Sequence, residues 1–391
     1  MLRRYREVLS QPHVARLMIT AMAARLPQGM TGLAVLLLLT PRFGYGKAGV
    51  ATGLGVAVSA MSSIVLARAI DRFGARAVLL PSAVIYLAGA CLLAALSGSP
   101  YAVQLVVCGL IGLASAPISS VSRGLWPELL GVDRAQVLYG LEATAQELVF
   151  IVGPAGVALV AGLANAKIAL VLSGALGLAG VIGFVSAPVF GHGARADRGP
   201  RHAGLWRSRV GAYAVVGVCL TVGFSMTEIA TVAFVGGQHA TTASGVVLAV
   251  WSAGSMLGGL VFGAGSAAVT DRALEISVAI AGVGLVLPVV APERVALGVI
   301  LFASGAAIAP ALARLYTQMG TAAPVGATTE AFGWLSVGFQ VGSSLGAALG
   351  GVAVDAIGAR ATFAVAGSGA LIAVLVVRTG RASRELRRVA S

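Results

Sequence analysis

Twelve apolar runs divide the chain, and each has about the length that a helix needs to cross the hydrocarbon core of a bilayer. A helix rises 1.5 Å per residue, so about 20 residues span a core about 30 Å thick. Of all residues 58% are hydrophobic and only 10% are charged, against about 25% charged in soluble domains. The runs therefore predict an all-α integral membrane protein. Their approximate bounds are 14–39, 48–67, 77–96, 101–122, 137–163, 168–190, 211–235, 244–268, 274–291, 295–313, 328–352 and 361–377.

The 27 basic residues are divided unequally between the two sides of the predicted membrane. If the N-terminus lies inside, 5 of them fall in outer connections, Arg25 lies within the first run, and the remaining 21 face the cytoplasm. Positive charge collects on the cytoplasmic side of membrane proteins. We therefore expect a multi-pass protein of the plasma membrane (the cell inner membrane) with both termini cytoplasmic. The outer basic residues are Arg42, Lys47, Lys167, Arg294 and Arg360.

Several function classes are disfavoured by what the sequence lacks. The net charge of +13 follows from topology and from attraction to anionic lipid, and no basic motif interleaved with aromatic residues predicts nucleic-acid binding. Cys91, Cys108 and Cys219 lie inside apolar runs without CxxC spacing, and the four histidines are scattered, so neither a disulfide framework nor a metal site is expected. The chain has no GxxxxGK[ST] loop for a nucleotide. We expect no enzyme activity and no cofactor.

A long polar connection, residues 191–209, separates the first six runs from the last six. It predicts an N-terminal half at 1–190, a cytoplasmic linker at 191–210 and a C-terminal half at 211–391. Short motifs recur in the two halves, which is typical of transporters built from two pseudo-symmetric six-helix halves, although a coincidence of short motifs is the alternative. Asp71-Arg72 recurs as Asp271-Arg272, Ala116-Pro117 as Ala309-Pro310, Arg123 as Arg314, and Glu142 as Glu330.

The fifth run, within Tyr139–Gly162, combines a membrane span with residues that are costly there. Glu142, Gln146 and Glu147 lie in its first half, and Gly153-Pro154 predicts a break in its second. A carboxylate in hydrocarbon costs about 2.5 to 3.5 kcal/mol on insertion scales, and a mid-helix proline removes a backbone donor. Such costs favour a functional role for this run.

The connection after the second run, ARAIDRFGAR at 67–76, resembles the signature loop of the major facilitator superfamily. Asp71, Arg72, Gly74 and Arg76 match that signature, whereas Ala67 and Ala75 depart from it. The resemblance implies twelve transmembrane helices, a tight turn at Gly74 and a latch in which Asp71 meets arginines such as Arg123. The alternative for this loop is a basic turn that only sets topology.

The stretch with Gly153, Pro154 and Gly156 resembles the signature of the drug–proton antiporter branch of that superfamily. Val149, Val157 and Ala158 depart from it, and the arginine that relatives have near Leu105 is absent. The resemblance implies that Gly153, Pro154 and Gly156 pack between the halves, and that the second run contacts the eleventh and the fifth contacts the eighth.

Small residues at intervals of four support close helix contacts in these runs. They predict faces on which two backbones can approach. These stripes are Gly49, Gly53 and Ala57 in the second run, Gly254 and Gly258 with Gly259 and Gly263 in the eighth, and Gly342, Gly346 and Gly350 in the eleventh.

Ionisable residues within the runs are the candidates for proton coupling. Arg25, Glu147 and Glu228 lie deep in the predicted membrane, while Glu142 and Glu330 lie nearer the inner end of their runs. For Glu147 both a salt bridge with Arg25 and a proton-carrying role are open, and Glu228 is expected to contact substrate or proton. Glu142 and Glu330 have the alternative of helix-end acids favoured by the helix dipole. The predicted coupling residues are Glu147, Glu228, Arg25 and Glu142.

Polar and aromatic residues in the runs are candidates for lining a substrate cavity. On the fifth helix Glu142, Gln146 and Gly153 share one face, and Glu147 shares another with Pro154. A tryptophan in a membrane helix has the alternative role of an interface anchor. The cavity candidates are Gln28, Gln146, Trp251, Trp334 and Glu330.

Taken together, the residues predict a monomeric secondary transporter that moves a small organic solute across the membrane by alternating access. Coupling to protons with net export is the first hypothesis. A proton-coupled importer or a passive facilitator of sugars or metabolites is the nearer alternative, and a non-transporting membrane receptor is the further one.

Overall fold

The computed structural model describes residues 10–11, 13–130, 132–188, 209–236, 240–262, 270–323 and 328–389. Across these residues every regular element is a helix, and each of the twelve predicted runs overlaps one of them. The prediction of an all-α membrane fold is confirmed. The helices are α1 (Val14–Phe73), α2 (Ala75–Ala95), α3 (Tyr101–Leu113), α4 (Ile118–Leu130), α5 (Val132–Leu163), α6 (Ala166–Val185), α7 (Arg209–Val235), α8 (Ala240–Phe262), α9 (Asp271–Val286, continued by a 3-10 turn at Leu287–Val290), α10 (Arg294–Gly305), α11 (Ile308–Ala322) and α12 (Thr328–Val389).

Glycine corners turn the chain between consecutive spans. Gly44 interrupts α1 at φ 77 and ψ 170, and Gly358 interrupts α12 at φ 80 and ψ 165. Gly74, at φ 88 and ψ 153, separates α1 from α2. This region of backbone conformation is essentially open to glycine alone. The predicted tight turn at Gly74 is therefore confirmed.

Two of the predicted runs are each divided into two helices. The run at 101–122 forms α3 and then α4, with non-helical residues up to Pro117, and the run at 295–313 forms α10 and then the start of α11. A proline has no N–H to donate and is favoured at the start of a helix. Pro117 lies directly before α4, and Pro310 lies in the first turn of α11. Both copies of the repeated Ala-Pro pair therefore lie where a span is interrupted.

The surface of the described chain is that of a membrane protein. Seven helical stretches are long and apolar enough to cross a bilayer, and the stretches with corners at Gly44 and Gly358 are two of them. Three further apolar helices are shorter. Large apolar side chains point outward, with Met61 exposed by 73% and Leu163 by 81%. Lipid tails cover such surfaces without cost, whereas water does not.

Contacts divide the chain into two compact units. Unit 1 consists of Met1–Pro41 and Ala57–Asp197, and unit 2 consists of Arg42–Val56 and Arg198–Ser391. The last of the three boundaries along the chain, between Asp197 and Arg198, falls within the predicted linker. The assignment of Arg42–Val56 to unit 2 differs from the predicted N-terminal half, which includes this segment.

The packing of unit 2 explains this assignment. Gly53 approaches Ser344 of α12 so closely that a Cβ atom would lie 2.5 Å from its carbonyl oxygen, and Gly49 approaches Ala347 in the same way. The predicted contact between the second and eleventh runs is confirmed. The predicted contact between the fifth and eighth runs would join the two units and stays a prediction.

Glycines also bring α12 against α7 inside unit 2. A Cβ atom on Gly346 would lie 2.5 Å from the carbonyl oxygen of Val222, and one on Gly350 would lie 2.9 Å from the Cα of Met226. Gly254 and Gly258 of α8 approach the backbone of Phe302 and Ala306 equally closely. The predicted close approach is confirmed at these four glycines, whereas Gly263 of the same stripe in α8 lies outside the described residues.

Candidate functional site

The position of Arg25 in unit 1 is set by close packing of α1 against α6. A Cβ atom on Gly177 would lie 2.6 Å from the Cγ of Pro27, and one on Gly180 would lie 2.7 Å from the Cα of Ala24. Real Cβ atoms do not come this close, so only glycine permits the contact. The packing fixes the height and rotation of α1 on both sides of Arg25.

Arg25 forms a buried ion pair with Glu142 of α5. Both residues are 0% exposed. A guanidinium has five donors and does not lose its proton in proteins, so burial at this depth requires a counter-charge and acceptors. Glu142 supplies the charge. The Oγ of Ser122 accepts a second bond from Arg25 at 2.5 Å.

Glu142 receives two further hydrogen bonds from α4. Ser122 donates to its Oε1 at 2.9 Å, and the indole of Trp126 donates to its Oε2 at 3.0 Å. Ser122 and Trp126 are four residues apart, so they lie on the same face of α4. Side chains from α1 and α4 therefore bind the carboxylate of Glu142 on α5, and each of its two oxygens accepts at least one hydrogen bond.

The position of Glu142 corrects one interpretation of the sequence. Glu142 is not a helix-end acid, because α5 begins at Val132 and Glu142 lies ten residues further on. The pairing of Arg25 with Glu142 was not predicted. The side chain of Glu147 lies outside the described residues, so its salt bridge with Arg25 and its proton-carrying role both stay predictions.

A chain of polar side chains leads from the buried pair to an exposed residue. The Nη1 of Arg25 donates to the Oε1 of Gln146 at 3.4 Å, and the Nε2 of Gln146 donates to the Oε1 of Gln28 at 3.4 Å. Gln146 is half-buried and Gln28 is exposed. The predicted candidates Arg25, Glu142, Gln146 and Gln28 are therefore brought together, and the cluster reaches the surface of unit 1.

Gly153 packs against α1 in the same unit. A Cβ atom on Gly153 would lie 2.7 Å from the backbone carbonyl carbon of Gly29. This contact lies inside unit 1, and the predicted packing of Gly153 between the halves stays a prediction. The predicted break is absent, since α5 continues through Pro154 to Leu163. For Pro154 and Gly156 the role between halves stays a prediction.

Substitution of Gly153 tests this contact. We expect Gly153→Ala to lower the free energy of unfolding by about 1 to 3 kcal/mol, because the added methyl group meets backbone that cannot rotate away. Gly156→Ala is the matched control, since a Cβ atom there meets nothing within 4 Å. Thermal unfolding of the purified protein in detergent micelles measures both variants. Equal stability of the two variants would contradict the packing argument.

Glu228 is the one acidic residue in helix α7 (Arg209–Val235), which belongs to unit 2. It is half-buried in a helix that is long and apolar enough to span a membrane. No hydrogen bond or ion pair joins it to any described residue. A carboxylate inside a membrane must be protonated, hydrated or paired. Glu228 is therefore available to bind a proton or a ligand.

An aromatic pair lies one helical turn from Glu228. Phe224 of α7 and Trp251 of α8 meet edge to face, with ring centroids 6.2 Å apart and an interplanar angle of 78°. Trp251 is 8% exposed, and neither its indole N–H nor the Oγ of Ser255 has a hydrogen-bond partner among the described residues. The predicted candidate Trp251 thus has an unused donor of its own, and Ser255, four residues further along α8, has an unused hydroxyl.

The other cavity candidates are Trp334 and Glu330. Trp334 lies on α12 and is 38% exposed, which is compatible with an anchor role as well as with a cavity. The side chain of Glu330 lies outside the described residues.

The predicted latch is described only in part. Arg72 and Arg76 are exposed, and the side chains of Asp71 and Arg123 lie outside the described residues. The role of this loop stays a prediction. Its second copy differs in local structure, since Asp71 lies near the C-terminal end of α1 while Asp271 is the first residue of α9.

Around Asp271 the structure shows a network that the sequence did not predict. The carboxylate accepts a bond from the Tyr213 hydroxyl at 2.6 Å and pairs with Arg209 at 3.2 Å, and the Oε1 of Gln318 accepts a bond from Arg209 at 3.4 Å. The repeated Asp-Arg motif identified Asp271. It gave no information on its partners, because they come from α7 and α11.

Ser122, Trp126 and Phe224 are the other site residues that sequence reasoning missed. Serine and aromatic residues are common in apolar runs, so their type alone does not distinguish them. The spacing of four between Ser122 and Trp126, on a short helix next to the run with Glu142, is the one pattern from which the first two were accessible.

Comparison with known proteins gives the fold. No protein-family model matches the sequence, and no curated protein matches it. The crystal structure of the nucleoside transporter NupG matches with a TM-score of 0.71 and 14% identity, over 94% of this chain and 98% of that chain. The structure of a point mutant of NupG matches with the same TM-score and identity, over 94% of this chain and 99% of that chain. Both neighbours are transporters, not enzymes. Because the match extends over 94% of this chain with a TM-score of 0.71, the chain has the major facilitator type of fold.

Proposed function

We propose that this protein is a secondary active transporter that moves a small organic solute across the membrane by alternating access. The observation that carries the proposal is the shared fold, because the structural match extends over 94% of this chain and 98% of the chain of a transporter. Folds of this type bind their ligand between two six-helix halves near the middle of the bilayer. The deep polar residues of α1, α5 and α7 are suited to that location.

Proton coupling is supported by the carboxylate of Glu228. It has no partner in the described chain, so a proton or a ligand group is free to bind it. If proton and solute compete for the same cavity, with the proton on Glu228, binding of one releases the other, which is exchange transport. The resemblance of Gly153-Pro154-x-Gly156 to the drug–proton antiporter signature favours export. Glu147 stays a second candidate for the same role.

The aromatic pair beside Glu228 suggests the class of solute to test first. Phe224 and Trp251 offer ring faces and edges, and aromatic pairs favour flat ligands in edge-to-face or offset contact. The unused indole N–H of Trp251 and hydroxyl of Ser255 would bind an acceptor atom on the ring. Since the structural neighbours are nucleoside transporters, nucleosides are the first compounds to test for transport.

Transport in inverted membrane vesicles tests the proposal. An interior made acidic relative to the medium should drive accumulation of the transported compound, and collapse of the gradient by an ionophore should release it. Accumulation only when the gradient is reversed would show cotransport with protons and hence import in the cell. Transport that no gradient accelerates would show a facilitator. Absence of transport for every compound under either gradient would overturn the proposal and favour a receptor role.

A further inference from the structure

Asp355, near the corner of α12, binds the backbone at the start of the second span. Its Oδ2 accepts a hydrogen bond from the N–H of Gly46 at 2.6 Å, and its Oδ1 accepts one from the N–H of Tyr45 at 3.2 Å. The helix resumes there after the corner at Gly44, so these N–H groups have no partner within their own helix. Asp355 therefore acts as an N-cap supplied by a residue more than 300 positions away.

Charge and local geometry favour this contact. The N-terminus of a helix carries a partial positive charge that stabilises a carboxylate. A Cβ atom on Gly46 would lie 2.8 Å from the Oδ2 of Asp355, so glycine is needed for the carboxylate to reach the backbone. At Gly44 glycine is needed for the backbone conformation itself, with φ 77.

Below the cap the same segment packs on α12 over two further turns. Gly49 and Gly53 approach the backbone of Ala347 and Ser344, and the hydroxyl of Ser344 donates to the carbonyl oxygen of Gly53 at 2.7 Å. Arg42–Val56 accordingly belongs to unit 2, although the same helix continues without interruption into unit 1 from Ala57. One continuous helix is thus held by α12 at its beginning and belongs to the other unit beyond Val56.

We infer that Asp355 is a releasable helix cap that holds the transporter in the state described here, in which segment 42–56 is docked on α12. This inference rests on the proposed function. In alternating access the halves separate on one side of the membrane at a time, and a helix shared between two units cannot remain docked on both. The cap lies near the corners at Gly44 and Gly358, on the predicted non-cytoplasmic side.

A cap of this kind is suited to repeated release. Asp355 is exposed, so water replaces the backbone donors when the segment departs, and the released N–H groups are hydrated as well. The contact therefore biases the equilibrium between docked and undocked states without locking it.

Spin-label distances test the inference directly. Nitroxide labels on Val50→Cys and Val295→Cys, both exposed and both in unit 2, report separation of segment 42–56. Serine replaces Cys91, Cys108 and Cys219 in this background. We expect Asp355→Ala, in proteoliposomes, to raise the undocked-to-docked ratio about fivefold, the size of a lost helix cap. Asp355→Asn, which keeps one acceptor oxygen but no charge, should give a smaller increase.

Glu293→Ala is the matched control. Glu293 is an exposed acid on the same predicted side, and its side chain makes no capping bond. An unchanged ratio in both Asp355 variants, or an equal rise with Glu293→Ala, would overturn the inference. If Asp355→Ala does not fold, the Asp355→Asn ratio decides alone. If no variant transports any compound but the undocked-to-docked ratio still rises in Asp355→Ala, the proposed function is rejected and the cap is retained. If transport is active but the ratio does not change, the cap is rejected and the proposed function is retained.

Discussion

Glu142→Ala is expected to lower the free energy of unfolding by about 3 to 5 kcal/mol. The substitution removes the carboxylate that pairs with the guanidinium of Arg25 at 0% exposure, and it removes the acceptor of Ser122 and Trp126. Breaking one side of a buried pair costs this much because the remaining charge has to be desolvated alone. Thermal or denaturant unfolding in detergent micelles measures the change.

The double variant Arg25→Met with Glu142→Ala separates charge from packing. Removal of both charges should recover most of the lost stability, since no unpaired ion remains. Glu275→Ala is the matched control: its partner Arg378 has a side chain 62% exposed, so we expect a loss of no more than about 1 kcal/mol. A double variant as unstable as the sum of the single variants would contradict the buried pair.

The apolar runs predicted where the membrane helices lie, but they did not predict where each helix begins and ends. A run records the part of a helix that lies in hydrocarbon, so all twelve runs overlap helices. Helix ends in polar surroundings leave no such record. The start of α5 at Val132 was therefore missed, because residues 132–136 are mostly polar yet continue the helix beyond the apolar run at 137–163.

The same limit explains why the pairing of Arg25 with Glu142 was not predicted. Depth estimated from run ends placed Arg25 and Glu147 at similar heights, but a contact also requires that two helix faces meet. Glu142 and Glu147 are five residues apart, which rotates their side chains by about 140° around the axis. The shared face of Glu142, Gln146 and Gly153 was predicted correctly, and all three contact α1 in the structure.

Contacts that join distant segments were accessible only where the sequence has a recognisable pattern. The resemblance to the major facilitator superfamily predicted the packing of segment 42–56 on α12, and the stripe with Gly49 and Gly53 lies on the contact face of that segment. The stripe of α12 itself packs against α7. The Asp355 cap has no such pattern. Its partners are backbone N–H groups, which every non-proline residue has, so no residue type identifies them.

Glu228→Gln is expected to abolish accumulation driven by a proton gradient, to the level of vesicles without the protein. The amide has nearly the shape of the carboxyl group but cannot take up and release a proton, so the coupling step is lost while the helix remains. Exchange of labelled for unlabelled solute at equal pH on both sides should persist, because it needs the alternating states and no net proton movement. Both assays use the same vesicles.

Two parallel variants decide what a loss of accumulation means. Glu275→Gln changes an acid of the same unit that is paired with Arg378, and it should leave proton-driven accumulation intact. Glu147→Gln tests the other candidate, since the sequence predicts a proton site in α5 as well as in α7. Loss in Glu147→Gln with normal accumulation in Glu228→Gln would move the coupling site to unit 1, beside the Arg25–Glu142 pair. Loss of exchange as well as accumulation in Glu228→Gln would assign Glu228 to solute binding, because a residue that only carries protons is not needed when no net proton moves.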